Sequence, residues 1–408
     1  MKVLVADKFE QVGIDGLAAL GARVDYEPDL RDAALAERVR DTEAEVLVVR
    51  STKVSAETME AGRLALIVRA GAGYNTIDVE AANRLGIYVS NCPGKNSQAV
   101  AELAFGLILA CDRRIPDNVI QLRGGRWNKK EFSKARGLYG RTLGLVGMGR
   151  IGQEMVARGK AFGMSVVAFS RWMTPEVASA LGIKRAESLE ELAAMSDVVS
   201  VHVSLTPASK GMLGKSFFGA MKSGAIFVNT SRSEVVDQNA LLKAVEERPL
   251  FAGLDVFEGE PASGEAEYHG ALRDNPRVYC THHIGASTDQ AQEAVAQEAV
   301  RIVREFKATG SVPNVVNVQR AETATHVVVV RHEDKVGVLA DVLGVLRDEK
   351  INVQEMENIV LGGAKAAIAQ ISVDKAPSEA ALKGIKANPL VFDASVFETE
   401  RDLEVSKA

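Results

Sequence analysis

A short apolar run, Thr142 to Val146, leads directly into Gly147-Met148-Gly149-Arg150-Ile151-Gly152, and a helical pattern follows with apolar residues at Ile151, Met155, Val156 and Phe162. As a bare string this glycine motif also serves ordinary strand-to-helix packing; strand, turn and helix in that order make it a fingerprint for a dinucleotide. Gly147 permits the tight turn, Gly149 admits the backbone of the turn close to a pyrophosphate, and Gly152 lets helix and strand pack. Free N–H groups at the helix start face the anion. Similar short strand and helix patterns alternate from residue 1 to about residue 307, which predicts parallel sheets covered by helices.

The second half of the fingerprint departs from the usual pattern. An Asp or Glu is expected about 20 residues past the glycines to bind the adenosine ribose. After the next strand, Val166 to Phe169, this chain has Ser170 followed by Arg171. A carboxylate there repels a ribose 2′-phosphate, whereas serine and a guanidinium accept one. Two readings stay open: tolerance of or preference for NADP, and NAD binding with Arg171 stacked on the adenine.

A chain of 408 residues divides into two or three domains, each able to bury a core. Strands are predicted at Lys2 to Ala6, Glu45 to Val49, Leu66 to Arg69 and Ile87 to Ser90. A long apolar helix, Ser97 to Cys111, interrupts the rhythm and is expected to carry the chain into the dinucleotide domain, and Asp289 to Lys307 to carry it back, leaving a cleft between two lobes. The pattern breaks near Val312-Pro313-Asn314. Beyond it, Thr325 to Arg331, Val336 to Asp348, Ile351 to Met356, Ala366 to Val373, Ser378 to Lys386 and Val391 to Phe397 read as β-α-β-β-α-β, a small α+β module. The expected boundaries are 1–95 with 287–318, then 96–286, then 322–408.

A net charge of −5 gives no basic footprint for nucleic acid or an anionic membrane. No apolar run is long enough to span a bilayer, and the opening residues read as a strand and not as an export signal. Cys92, Cys111 and Cys280 are three, widely spaced, and imply neither a disulfide framework nor a metal site; a reducing cytoplasm is the simplest expectation.

Three further stretches carry chemistry: Val228-Asn229-Thr230-Ser231-Arg232, Asp255-Val256-Phe257-Glu258-Gly259-Glu260-Pro261, and Thr281-His282-His283-Ile284-Gly285-Ala286-Ser287-Thr288. With the glycine turn, they resemble the D-isomer-specific 2-hydroxyacid dehydrogenase family over nearly the whole chain, and the last two are highly specific. The resemblance implies an α/β fold of two discontinuous Rossmann-like lobes. The tail, with His332-Glu333-Asp334-Lys335-Val336-Gly337 and Ile351-Asn352-Val353, resembles an ACT domain, a ferredoxin-like regulatory fold that binds amino acids between paired copies.

Hydride exchange at a carbon beside a carboxylate needs a proton donor and acceptor at the oxygen, and a histidine titrating near neutrality serves both directions. His283 is the candidate, with Glu260 the family-matching partner that orients it and raises its pKa. Arg232 is suited to grip the substrate carboxylate with a fork that lysine cannot reproduce. The resemblance assigns Asp255 to the nicotinamide carboxamide and adds Arg150, Ile151, His202, Thr206, Thr230 and Gly285 to the cofactor set. Glu258 and His282 match no required role. On the first lobe, the turn around Gly71, Ala72 and Gly73 offers backbone N–H groups for a carboxylate, Asn96 resembles a substrate-contacting asparagine, and Arg50, Ser51 and Lys53 form a cationic strand end. That strand end fits a phosphate, or else is a solvated terminus.

The activity so implied is NAD(P)-dependent oxidation of D-3-phosphoglycerate to 3-phosphohydroxypyruvate, the first step of phosphorylated L-serine biosynthesis. A hydroxypyruvate or glyoxylate reductase, another D-2-hydroxyacid dehydrogenase, and a non-catalytic dinucleotide- or amino-acid-sensing corepressor are the alternatives. In the tail, His332, Asp334 and Asn352 fall at effector positions. Asp334 replaces an amide by an acceptor only, and Val336 replaces a common proline, so serine feedback stays open beside a purely dimerising role. A homodimer or homotetramer is expected, with Trp127 either an interface anchor or an intramolecular residue.

Overall fold

The computed structural model describes residues 1–261, 265–318 and 324–399 and divides into two compact units, Met1–Asn317 and the chain from Val318 onward. The first unit holds two parallel sheets. One contains β1 (Lys2–Val5), β2 (Arg23–Tyr26), β3 (Val46–Val49), β4 (Leu66–Arg69) and β5 (Tyr88–Asn91) in the order β2-β1-β3-β4-β5. The other contains β6 (Thr142–Val146), β7 (Ser165–Phe169), β8 (Lys184–Arg185), β9 (Val198–Val201), β10 (Ile226–Asn229), β11 (Phe251–Leu254) and β12 (Val278–Cys280), ordered β12-β11-β10-β9-β6-β7-β8.

The interior strands of both sheets are apolar on both faces, which is why they read as unbroken hydrophobic runs. Val3 and Val5 of β1 pack on one side with Leu17, Ala299 and Val303, while Leu4 between them packs on the other with Leu35, Val39 and Met59. In the second sheet Phe227 joins Phe217 and Phe218, and its neighbours Ile226 and Val228 face Ala104, Phe105 and Ile108 of the helix Ser97–Arg113. That helix therefore rests on the second sheet. The helix Asp289–Thr309 returns to the first, burying Ala299, Val300, Ile302 and Val303 there.

Two crossings join the lobes, and Glu298 ties them together. Only 6% exposed, its carboxylate takes Arg301 at 2.7 Å, the Asn314 amide at 2.8 Å and the Lys95 ammonium at 3.2 Å. Lys95 lies in the outward crossing, just before Ser97, and Asn314 in the segment that follows the return helix.

The second unit is a four-stranded antiparallel sheet of β13 (His326–Glu333), β14 (Val353–Val360), β15 (Ala366–Val373) and β16 (Val391–Glu398), in the order β14-β15-β13-β16. Helices Val338–Asp348 and Glu379–Lys386 bury Val338, Val342, Leu346 and Ile385 against Val328, Val330 and Ile371. The β-α-β-β-α-β order expected from the sequence is present, with two shifts. The helix begins at Val338, because Gly337 precedes it in the left-handed region, and Val336 is fully exposed outside it. The strand expected at Ile351 to Met356 runs instead from Val353 to Val360, with Ile351 turned into the core. No helix among the described residues is long and apolar enough to cross a membrane.

Candidate active site

In parallel sheets the crevice beyond the carboxyl ends of the strands collects ligand-binding residues, and here such ends from both sheets face one cleft of about 380 Å³. Arg232 reaches it from the turn after β10. The Asn229 side chain builds that turn by accepting the Ser231 N–H and hydroxyl, at 2.9 and 2.8 Å, and donating to the Arg232 carbonyl at 2.9 Å. Asp255 follows β11 and is 1% exposed. Its carboxylate accepts the Thr281 hydroxyl at 2.6 Å, the Ile284 N–H at 2.9 Å and the Gly285 N–H at 2.8 Å.

Those bonds grip the loop that carries His283, whose φ of 52° lies in the left-handed region. A non-glycine residue there stores about 1 kcal/mol or more, and persists where its surroundings over-determine it. His283 Nδ1 meets Glu260 Oε2 at 2.8 Å, and Glu260 Oε1 accepts the Phe257 N–H at 2.9 Å. Because the carboxylate accepts from Nδ1–H, Nε2 is left as the free ring nitrogen. The hydrogen bond to Glu260 raises the His283 pKa above its ordinary value against the opposing effect of burial. Burial acts to raise the Glu260 carboxyl, but the bonds from His283 and Phe257 bring it below the usual carboxylate range. His283, Glu260 and Arg232 line a common space.

From the first lobe come Arg50, Ser51, Gly71 and Asn96. Asp7, at the end of β1, fixes the Arg50 loop by accepting the N–H groups of Arg50, Ser51 and Thr52 at 2.6, 3.0 and 2.9 Å. The Arg50 guanidinium donates to Gln292 at 2.6 Å. The cationic strand end needs a correction, since Lys53 is exposed and does not line the cleft. Its place is taken by Arg69, the last residue of β4, which sequence reading treated only as a strand terminus. Burial first, then the positive charges of Arg232 and Arg50, push the Arg69 pKa down to about 10, and its Nε–H has no partner. The turn is also less open than expected, because the Ala70 and Gly71 N–H groups are spent on the Val49 and Arg69 carbonyls, leaving those of Ala72 and Gly73. Gly71 and Gly73 matter for a different reason: a Cβ would lie 1.5 Å from the Arg69 guanidinium at one and 1.9 Å from that of Arg232 at the other, so a side chain at either place displaces an arginine from the cleft.

The residues around the glycine turn fit a dinucleotide. Gly147 has φ 98°, and a Cβ there would stand 2.5 Å from the His202 carbonyl; at Gly152 it would stand 2.4 Å from the Gly147 carbonyl. Gly149, by contrast, has open space around it at the start of the helix Arg150–Ala161, with Ile151 inside the first turn. His202 Nδ1 and Thr230 Oγ1 are buried without partners among the described residues, whereas buried polar atoms are ordinarily satisfied. Burial holds the His202 imidazole neutral, its pKa lowered to about 3. Thr206 sits in the turn after β9, bonded to Ser209. Ser170 and Arg171 follow β7, with Arg171 exposed and bonded to no side chain among the described residues. The Gly285 N–H is consumed by Asp255.

Of the effector positions, Asp334 and Asn352 are exposed. His332 is not: at 1% exposure its ring nitrogens meet the Glu333 carbonyl at 2.7 Å and Asn358 at 3.1 Å, a satisfied core histidine.

Comparison with known proteins places these features in a family. Residues 105–285 match the model of the D-isomer specific 2-hydroxyacid dehydrogenase NAD binding domain, and residues 326–389 match the ACT domain. The chain is 40% identical over 316 residues to a D-3-phosphoglycerate dehydrogenase of Methanocaldococcus jannaschii, covering 74% of this chain but only 58% of that protein's length. It is 44% identical over 271 residues to a hydroxypyruvate reductase of Thermotoga maritima, covering 66% of this chain and 86% of the reductase. The crystal structure of NAD+-bound 3-phosphoglycerate dehydrogenase from Entamoeba histolytica superposes with a TM-score of 0.65 at 28% identity, over 78% of this chain and 99% of that one. The chain belongs to the D-isomer-specific 2-hydroxyacid dehydrogenase family, with an NAD-binding domain and a C-terminal ACT domain.

Proposed function

We propose that the chain oxidises D-3-phosphoglycerate to 3-phosphohydroxypyruvate. The observation that carries this reading is the convergence of Arg50, Arg69 and Arg232 on the cleft that holds His283. A plain 2-hydroxy acid brings one carboxylate, which one guanidinium fork accommodates. Partly buried like charges without carboxylate partners are costly, and a phosphate at the other end of a three-carbon acid relieves that cost at Arg50 and Arg69.

In this mechanism Arg232 holds the carboxylate and sets the C2 hydroxyl against His283 Nε2. His283 takes the hydroxyl proton as the C2 hydride departs, and Glu260 stabilises the imidazolium that forms. The bound nicotinamide supplies the hydride acceptor. Asp255, by gripping Ile284 and Gly285, holds His283 in its strained orientation. Ser170 and the unpaired Arg171 support use of NADP beside NAD.

Following nicotinamide absorbance with D-3-phosphoglycerate, and in reverse with hydroxypyruvate and glyoxylate, tests the proposal. Phosphoglycerate is expected to have the higher kcat/KM by at least about 100-fold, the lower bound for two charge-assisted bonds. Preference for the unphosphorylated acids overturns it in favour of a reductase, a reading that the free Arg171 supports through NADPH. Absence of turnover with all three points to a sensor.

Assembly belongs to the same proposal. Helix Ile115–Arg123 buries no residue, and Ile120, Leu122 and the nearby Trp127 are 65%, 55% and 80% exposed. A second copy of the chain covers this face in the expected homodimer, and sedimentation of a Trp127→Ala/Leu122→Asp variant tests it. The ACT unit, with His332 closed into its core, serves pairing more readily than serine feedback; activity unchanged by millimolar L-serine is the expected result.

A further inference from the structure

A second basic concavity lies at the opposite ends of the strands that carry the active site. The C-terminal ends of β10 and β11 deliver Arg232 and Asp255 to the cleft, while Arg141, just before β6, and Ile226 and Phe251, the first residues of β10 and β11, line a separate cavity of about 280 Å³. The helix Ser97–Arg113 spans the same distance, starting beside Asn96 in the cleft and ending at Cys111 and Arg113 in this cavity. The 17 residues of that helix, at about 1.5 Å each, put the two sites on the order of 25 Å apart.

The cavity has an apolar floor and a cationic wall. Cys111 and Ile226 are buried beneath it, and the rings of Phe132 and Phe251 flank them. The wall carries Arg113, Arg114, Lys134, Arg136 and Arg141 against two carboxylates, Asp112 and Glu131. Both carboxylates are already engaged. Glu131 binds Arg114 at 2.7 Å and Lys134 at 2.5 Å, while Asp112 accepts from Arg141 and from the Gly137 N–H, each at 3.1 Å. Arg113 and Arg136 make no ion pair with any carboxylate among the described residues.

Arg141 supplies an independent sign of a missing partner. It is 9% exposed and bonded through both terminal nitrogens, to Asp112, to the Gly137 carbonyl at 3.0 Å and to the Asp197 carbonyl at 3.2 Å, yet its Nε–H has none. A buried donor left unsatisfied is uncommon and costly. Burial and the neighbouring Arg136 charge act to lower the Arg141 pKa, against the opposing pull of Asp197 and Asp112.

We propose that this cavity is a second ligand site, distinct from the active cleft, that binds a small carboxylate or phosphate carried on a flat apolar ring. The anion meets Arg113, Arg136 and Arg141, and the ring lies on the floor between Phe132 and Phe251. Neither exposed arginine belongs to the catalytic machinery, so the site can be removed with turnover intact.

Calorimetric titration of the full chain with phenyl phosphate tests the assignment, using wild type, the cleft variant Arg69→Gln/Arg232→Gln and the double variant Arg113→Glu/Arg136→Glu. One binding event is expected to survive in the cleft variant and to weaken by at least about tenfold in the double variant, which keeps wild-type turnover as evidence of its fold. Inorganic phosphate is expected to bind this site at least about tenfold more weakly than phenyl phosphate, because it leaves the floor uncovered. Binding lost entirely with the cleft variant, binding unaltered in Arg113→Glu/Arg136→Glu, equal affinity for the two probes, or no second event at all overturns the proposal.

Discussion

Replacing Glu260 by Gln keeps the shape of the His283 partner and removes its charge, which isolates what the carboxylate contributes. In the wild-type protein the bond at 2.8 Å raises the His283 pKa while burial opposes it. With the charge gone, the opposing effect remains and the pKa falls. A charge-assisted hydrogen bond contributes about 1.5–3 kcal/mol when well buried, but the His283 side chain is 54% exposed and Glu260 29%. Solvent screening reduces the figure to roughly 1 kcal/mol, and the pKa falls accordingly. Oxidation uses neutral His283 as base, so its acid limb in kcat/KM against pH moves to lower pH. Reduction uses the imidazolium as acid, so its alkaline limb also moves to lower pH. Gln offers one acceptor oxygen for the two N–H groups that Glu260 accepts, so the Nδ1–H tautomer is no longer fixed and the rate falls further by about ten- to a hundredfold at the optimum. Steady-state pH profiles measured in both directions provide the readout. Limbs that stay in place, or move upward, would refute the role given to Glu260.

Arg69→Gln should cut kcat/KM for phosphoglycerate by about ten- to a hundredfold and that for glyoxylate much less; equal losses would remove Arg69 from phosphate recognition. Ser170→Asp places a carboxylate against the 2′-phosphate site and should lower kcat/KM with NADP by at least about tenfold while sparing NAD, as measured with both cofactors. Asp255→Asn leaves the Ile284 and Gly285 N–H groups facing an amide, and should lower kcat more than it raises KM as the His283 loop loosens; single-turnover kinetics would reveal an unchanged kcat. Hydrogen bonds from Arg301, then Asn314 and Lys95, hold the Glu298 pKa at about 2 in place of 4.5. A depressed carboxyl pKa stabilises the fold above the unfolded value, so this contribution is present above pH 4.5 and lost as pH falls towards about 2. Glu298→Gln should accordingly flatten the stability curve in that window and lower Tm by several degrees, as read by calorimetry.

How far the sequence was legible varied with the origin of each signal. The interior strands β1, β3, β4 and β6 were readable because burial on both faces leaves an uninterrupted apolar run. The edge strand β2, whose residues are half-buried or exposed, carries no such pattern and was not anticipated. Gly147, Gly149 and Gly152 stood out because their constraints are local to one turn. The His283 and Glu260 pair was found through the motifs around it, whereas Arg69 looked like the end of an ordinary strand. Only the pairing of β4 beside β3, and the turn of Gly71 and Gly73 beneath two guanidinium groups, reveals its place in the cleft. His332 fell at an effector position, yet its ring is satisfied inside the core by Asn358, a residue 26 positions away.

The sequence by itself determined the alternation of strands and helices, the glycine turn and the chemical types available for proton and hydride exchange, because these follow from neighbouring residues and short periods. Tertiary structure alone decided which charges meet: Arg50, Arg69 and Arg232 in one cleft, Glu298 across two crossings, and the wall around Arg141. Electrostatic crowding depends on distances between strand ends far apart in the chain, and no local pattern encodes them.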